Sequence, residues 1–142
     1  MQPLKPVAGT LPSGTGTLGQ PFQLDTYQLV TVPKAERGIF GPAPSQSDFT
    51  YYTFLVQIES LDPTYSTAYN PLSFVMRDDQ DFEYQATFAD QALQPALHFG
   101  QLVKGEKIQG WLTMEGPVAT TYVELVYRSN MGGEAVIRAA VP

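Results

Sequence analysis

The chain has 142 residues, no cysteine, one histidine and a net charge of −6, a length that suits a single domain able to bury its own core. The absence of cysteine excludes disulfides, thiolate metal sites and cysteine nucleophiles. Eight Lys and Arg residues, scattered without a cluster, leave no positive footprint for nucleic acid or for anionic lipid. Only 15% of the residues are charged, below the usual share of about 25%. Thr, Gln and Ser carry the polarity instead, and with the aromatics they suit half-buried strands better than helices. No run approaches the roughly 18 apolar residues of a membrane span. Met1-Gln2-Pro3-Leu4-Lys5-Pro6 has no apolar signal core, so the sequence reads either as cytoplasmic or as the mature part of an exported chain.

In chain order, residues 1–14, with three prolines and the turn Pro12-Ser13-Gly14, read as a flexible tail or linker. Thr15 to Gln20 is a short strand. Phe22, Leu24, Tyr27 and Leu29 form the next, with a phase shift near Asp25-Thr26 that predicts a bulge or bend. Residues 33–49, punctuated by Pro33, Gly38, Gly41, Pro42 and Pro44, read as a long loop. Thr50 to Leu61 is the clearest strand: Tyr52, Phe54, Val56 and Ile58 share one face, while Thr53, Gln57 and Glu59, with Leu55, take the other. A loop with Tyr65 and Tyr69 follows Asp62-Pro63. Leu72, Phe74 and Met76 mark a strand that turns at Asp78-Asp79-Gln80-Asp81 and returns through Phe82 and Tyr84 as a hairpin. Residues 85–103 are irregular, with a helical turn or two expected over Phe88 to Leu93. After the turn Lys104-Gly105-Glu106, Ile108, Leu112 and Met114 share a face up to Gly116-Pro117. Val123, Leu125 and Tyr127 alternate in the next strand. Asn130-Met131-Gly132-Gly133 then turns into a last strand carrying Val136 and Ile137. Strands of this number and spacing, with no long helical period, read as a β-sandwich or barrel.

Four segments carry a resemblance. They are Thr17-Leu18-Gly19-Gln20; Tyr52-Thr53-Phe54-Leu55-Val56-Gln57-Ile58; Ser73-Phe74-Val75-Met76-Arg77-Asp78 leading to Tyr84; and Leu102-Val103-Lys104-Gly105-Glu106 followed by Gly110-Trp111-Leu112-Thr113-Met114. With Leu125 and Tyr127, their order resembles a bacterial family of immunoglobulin-like domains of unknown function, related to the secreted immunoprotective extracellular proteins. The resemblance implies an immunoglobulin-like β-sandwich of seven or eight mostly antiparallel strands over residues 15–142. It also implies a location outside the cytoplasm, secreted or lipid-anchored. It implies no shared catalytic residue.

His98, the only histidine, would have to serve any Ser-His-Asp triad or imidazole metal site. It stands in a loop between Leu97 and Phe99, no Gly-x-Ser-x-Gly elbow accompanies it, and a surface or packing role is expected. The acidic turn Asp78 to Asp81 could offer oxygens to calcium, but Asp in a hairpin turn is favoured for its local hydrogen bonds. No catalytic residue, metal site or cofactor is therefore expected. Trp111 falls out of phase with Leu112 and Met114 and should face away from the core they define. The expected contact surface uses loops 33–49 and 62–71, the latter with Tyr65 and Tyr69, together with Trp111, since exposed Trp and Tyr anchor protein contacts and stack on sugars. The alternative is that Trp111 merely covers a neighbouring strand.

The sequence thus reads as a non-enzymatic binding or adhesion-type domain with an unidentified protein or glycan partner and no membrane insertion of its own. A structural, self-associating subunit, such as a homodimer, is the second reading. A hydrolase, which needs a deep pocket with at least two titratable groups, is the third.

Overall fold

The computed structural model describes residues 1–24, 27–87, 94–129 and 133–142. Among these the regular structure is all strand apart from one 3-10 turn, Pro71–Ser73. Two sheets face each other. The first is built on β5 (Gln28–Gly38), β6 (Phe49–Ser60) and β11 (Lys107–Pro117), with β1 (Gln2–Pro3) and β4 (Phe22–Gln23) both lying along β5. The second runs β2 (Lys5–Pro6), β13 (Glu134–Ala140), β12 (Tyr122–Arg128), β8 (Phe74–Asp78) and β9 (Glu83–Gln85), with β3 (Thr15–Thr17) also on β13. A separate two-stranded ribbon pairs β7 (Thr67–Tyr69) with β10 (Gly100–Leu102). Among these strands every pairing is antiparallel except β3 with β13. The fold is the all-β sandwich that the strand spacing predicted. Six of the described strands have five or more residues and seven have only two or three. Segments that short carry no period for a sequence to show.

The core forms where the alternation placed it. Tyr52, Phe54, Val56 and Ile58 of β6 are essentially inaccessible, as are Met114 of β11, Phe74 and Met76 of β8, and Val123 and Leu125 of β12. Phe74 and Tyr127 stack with ring centroids 4.3 Å apart. The Tyr127 hydroxyl donates to Gln28 Oε1 at 2.7 Å, and Gln28 Nε2 donates to the Ala68 carbonyl at 2.8 Å. A buried polar pair is thereby satisfied at both ends, which is the condition for keeping such groups in an apolar interior.

Several local expectations change. Residues 33–38 are strand, not loop, because β5 continues through Pro33: the register on β6 shifts between Thr31 and Lys34. A bulge there accommodates a residue that has no N–H to give to the ladder. Only residues 39–48 connect β5 to β6. Phe22 and Leu29 belong to two strands that pair antiparallel, closed by a Leu24 N–H to Gln28 carbonyl bond of 3.0 Å. The bend expected at Asp25-Thr26 lies outside the described residues, as do the helical turns expected over Phe88 to Leu93 and residues 130–132 of the last turn. Leu72 is not on the core face of β8. It sits in the Pro71–Ser73 turn, where Asn70 Oδ1 accepts its N–H, and it is exposed.

Residues 1–14 are not simply a tail. β1 joins the first sheet, β2 joins the second, and Leu4 between them is buried with its N–H on the Ala35 carbonyl at 2.8 Å. The chain repeats this crossing at Leu18, which is buried between β3 on the second sheet and a Gly19 N–H to Val32 carbonyl bond on the first. It crosses a third time on the far side, where the segment after β9 leaves the second sheet and Ala86 pairs with Met114 of β11. Each crossing lays backbone along a sheet edge that would otherwise offer unpaired N–H and C=O groups.

Leu4→Ala should therefore act as a core truncation and not as a change in a tail. The expected loss is about 2–4 kcal/mol of unfolding free energy, measured by urea denaturation. A loss within about 0.5 kcal/mol, the range of ordinary surface substitutions, would mean that residues 1–6 are not docked in solution.

Candidate functional site

β11 pairs with β6 without a register break from Lys107↔Glu59 to Pro117↔Phe49. That register turns Leu112 and Met114 into the core and sets Trp111 on the opposite face, in one row with Leu55 of β6 and Lys34 of β5. The Lys34 ammonium lies 5.4 Å from the Trp111 ring centroid, within reach of a cation–π interaction. The free edge of β11 is taken by two later segments. Thr87 N–H donates to the Thr113 carbonyl at 2.8 Å. Trp111 N–H donates to the Pro95 carbonyl, and Leu97 N–H to the Trp111 carbonyl, both at 2.9 Å. Gly110 is what lets the second segment approach, for a Cβ there would lie 2.6 Å from Leu97 Cα.

Between this edge and the Pro71–Ser73 turn opens a cavity of about 470 Å³, in the size range of small-molecule sites. Asn70 and Leu72 line it from the turn, Ala86 and Thr87 from one edge segment, and Gln94 and Ala96 to Phe99 from the other. Trp111, Leu112 and Thr113 form the β11 wall. Leu72 and Phe99 are exposed, at 68% and 80%, and give the mouth an apolar rim. Among the described residues the lining holds no Asp, Glu, Lys or Arg, and His98 is its one imidazole. Its polar groups are amides, hydroxyls and an imidazole. Thr113 is 1% exposed and its hydroxyl has no hydrogen-bond partner among the described residues, a state that costs about 1–3 kcal/mol when nothing compensates.

Of the three aromatic residues expected at a contact surface, Trp111 lines this cavity, and of the expected loop 62–71 only Asn70 and Pro71 do. Tyr69 is half-buried and packed against the core, so close to β10 that a Cβ on Gly100 would meet its hydroxyl. Tyr65 is exposed on a loop held by Asp62, whose Oδ1 accepts the Thr64 and Tyr65 N–H groups at 2.9 and 3.0 Å, and it does not line the cavity. The loop 39–48 packs back on the first sheet: Phe40 contacts Tyr51, and the Tyr51 hydroxyl donates to the Pro42 carbonyl at 3.0 Å. Leu72, Phe99 and Thr113 were not legible as site residues. They come from separate parts of the chain, and no local pattern links them.

The acidic turn is consumed by its own backbone. Asp78 Oδ1 accepts the Gln80 and Phe82 N–H groups at 2.9 and 3.0 Å, and Oδ2 accepts the Tyr84 hydroxyl at 2.8 Å. Asp79 Oδ2 accepts both the N–H and the hydroxyl of Thr121 at 2.9 Å, which hold its carboxyl below the usual range. Among the described residues no group of three His, Asp or Glu side chains is placed to hold a metal ion.

The outer face of the second sheet differs in kind. Glu124 is buried between Arg77 and Arg138, with both contacts at 3.0 Å, and Arg138 lies 3.9 Å from the Tyr122 ring centroid. Arg128 bridges Glu83 at 2.8 Å and Glu134 at 3.0 Å, and its hydrogen bond holds the Glu83 carboxyl below the usual range. The long side chains cover this face, and Val126 is inaccessible within it.

No protein-family model matches the chain, and no curated protein matches it significantly in sequence. Solved structures do match in shape. The yjhA protein of Bacillus subtilis superposes with a TM-score of 0.66 at 19% identity, over 87% of this chain and 98% of that one. A candidate lipoprotein of Bacillus subtilis, ycdA, gives 0.71 at 10% identity, over 83% of this chain and 38% of that one. The secreted protein MPT63 of Mycobacterium tuberculosis gives 0.59 at 13% identity, over 92% and 98%. At these identities the likeness is one of fold.

Two outcomes follow from the site and its flanking hairpin. Gly110→Ala should lower the unfolding free energy by about 1–3 kcal/mol through overpacking, because the new methyl meets backbone; denaturant titration reads this directly. Burial first, and the bond to Asp78 second, push the Tyr84 phenol up to about 12, whereas it titrates near 10 in an unfolded chain. Its contribution to stability is complete below pH 10 and is lost as the pH rises towards 12. Tyr52, also shifted upward by burial, adds to the same loss. Stability followed by chemical denaturation from pH 9 to 12 should fall less steeply in Tyr84→Phe than in the parent. Parallel curves would remove Tyr84 from the account.

Proposed function

We propose that this chain is a non-enzymatic contact domain that works outside the cytoplasm, and that it meets its partner through the cavity at Trp111. The observation that carries the reading is the asymmetry of the two outer faces. One is closed by paired arginines and glutamates. The other opens a cavity walled by Trp111 and rimmed by exposed Leu72 and Phe99. Large aromatic groups at a desolvated centre dominate binding energy when a partner covers them, and exposed apolar side chains gathered at a cleft mark interaction sites. Among the described residues the lining sets no carboxylate or amine beside the His98 imidazole to form the acid–base pair of a hydrolase. The fold likeness to a secreted protein and to a candidate lipoprotein supports the location, as does the sequence resemblance to exported immunoglobulin-like domains of unknown function.

The test is retention of purified envelope proteins and cell-wall glycan fragments on the immobilised domain. Saturable retention is expected, falling at least about tenfold in Trp111→Ala, the loss typical of a binding hot spot. Phe99→Ala removes an exposed ring without touching the core, and it should weaken retention with unfolding unchanged. Nonspecific retention that both variants leave intact would sink the proposal.

A further inference from the structure

The chemistry of the Trp111 cavity narrows its occupant. Charged ligands find no carboxylate, amine or guanidinium among the described residues of the lining, and the chain's net charge of −6 opposes anions further. Extended peptides that bind sheets do so by pairing with a free strand edge. The β11 edge at this cavity is already paired, by Thr87 on one side and by Pro95 and Leu97 on the other, so no ladder is left for a peptide to join. What remains is an aromatic ring beside groups that include the Asn70 and Gln94 amides and the Thr113 hydroxyl. Lys34 contacts the Trp111 ring without lining the cavity, so it fixes the indole from outside. A ring with an apolar C–H face and hydroxyls at its edge matches that set: the face stacks on the indole, and hydroxyls, which both donate and accept, suit amides and hydroxyls that do the same.

We infer that the cavity binds an uncharged saccharide, one sugar ring stacked on Trp111 and its hydroxyls directed to the neutral polar lining. This rests on the contact reading above and specifies its ligand. The buried, unpartnered Thr113 hydroxyl is the second mark of a missing ligand. It is closed to water in the free protein, so a sugar reaches it only as the cavity wall gives, whereas the indole needs no such step.

Trp111 is the chain's single tryptophan, so intrinsic fluorescence reports on this site alone. The probes are cellotriose, maltotriose and the trimer of N-acetylglucosamine, with a capped triproline peptide as the contrast. At least one trisaccharide should shift the emission saturably. Calorimetry with that sugar should then show binding lost in Trp111→Ala and weakened about two- to tenfold in Thr113→Val, the worth of one hydrogen bond. Thr113→Val should itself be as stable as the parent or more so, since it removes an unsatisfied group of the same shape. No shift from any trisaccharide at about 10 mM, well above a millimolar dissociation constant, overturns the inference. A shift from the peptide alone also overturns it and leaves a protein contact at Trp111 standing. Retention of envelope proteins that Phe99→Ala weakens, with every sugar silent, separates failure of the ligand class from failure of the contact reading.

Discussion

The uninterrupted ladder between β6 and β11 is the constraint from which the remaining geometry follows. The side-chain period of a strand is two, so a slip of one residue would carry Trp111 into the core and Leu112 out of it. The ladder holds that register against the Pro33 bulge on the other flank of β6, which shifts β5 alone. With β11 fixed, Gly110 falls where Leu97 must pass, and Trp111 and Thr113 fall on the wall of the cavity. One wall of the site is thus a strand of the first sheet, and the segments that complete it, the 70–72 turn and residues 86–87 and 94–99, lie outside the strands, the last two tied to the β11 edge by backbone bonds.

The two outer faces show two ways of treating a half-exposed sheet. On the second sheet, Glu124 lies between two arginines and Arg128 between two glutamates, so charge is neutralised in place. The Arg128 pairs are exposed, and such pairs add little stability. The Glu124 pairs are buried and costly to break one-sidedly, because removing an arginine leaves a charge without compensation. On the first sheet the covering is mixed, with Gln57 on Gln109 and Lys107 on Glu59 beside apolar groups. Leu55 and Tyr51 are buried on the outward face, under neighbouring side chains and the 39–48 loop.

What could be read from the sequence was what is local. The alternation of Tyr52, Phe54, Val56 and Ile58, and of Val123, Leu125 and Tyr127, is a property of consecutive residues and placed the core correctly. The outward setting of Trp111 followed from the same counting. What escaped was non-local. Pro33 looked like a breaker because the partner strand that tolerates its bulge lies elsewhere in the chain. Leu72 was in phase with Phe74 and Met76, yet the Asn70 cap and Pro71 curl it into a turn. Residues 1–6 carried no period, and only the sheet edges they cover explain their order. The cavity joins residues 70–72, 86–87, 94–99 and 111–113, a grouping that strand order creates and that spacing along the chain does not express.

The crossing at Leu4 also decides how the domain would carry a load. Lys5 pairs with Ala140 and Pro6 with Ala139, antiparallel, so the chain enters and leaves side by side at one end of the sandwich. Tension applied at Lys5 and Ala140 would strain this short ladder from its open end, one pair after another, instead of shearing the long β6–β11 ladder all at once.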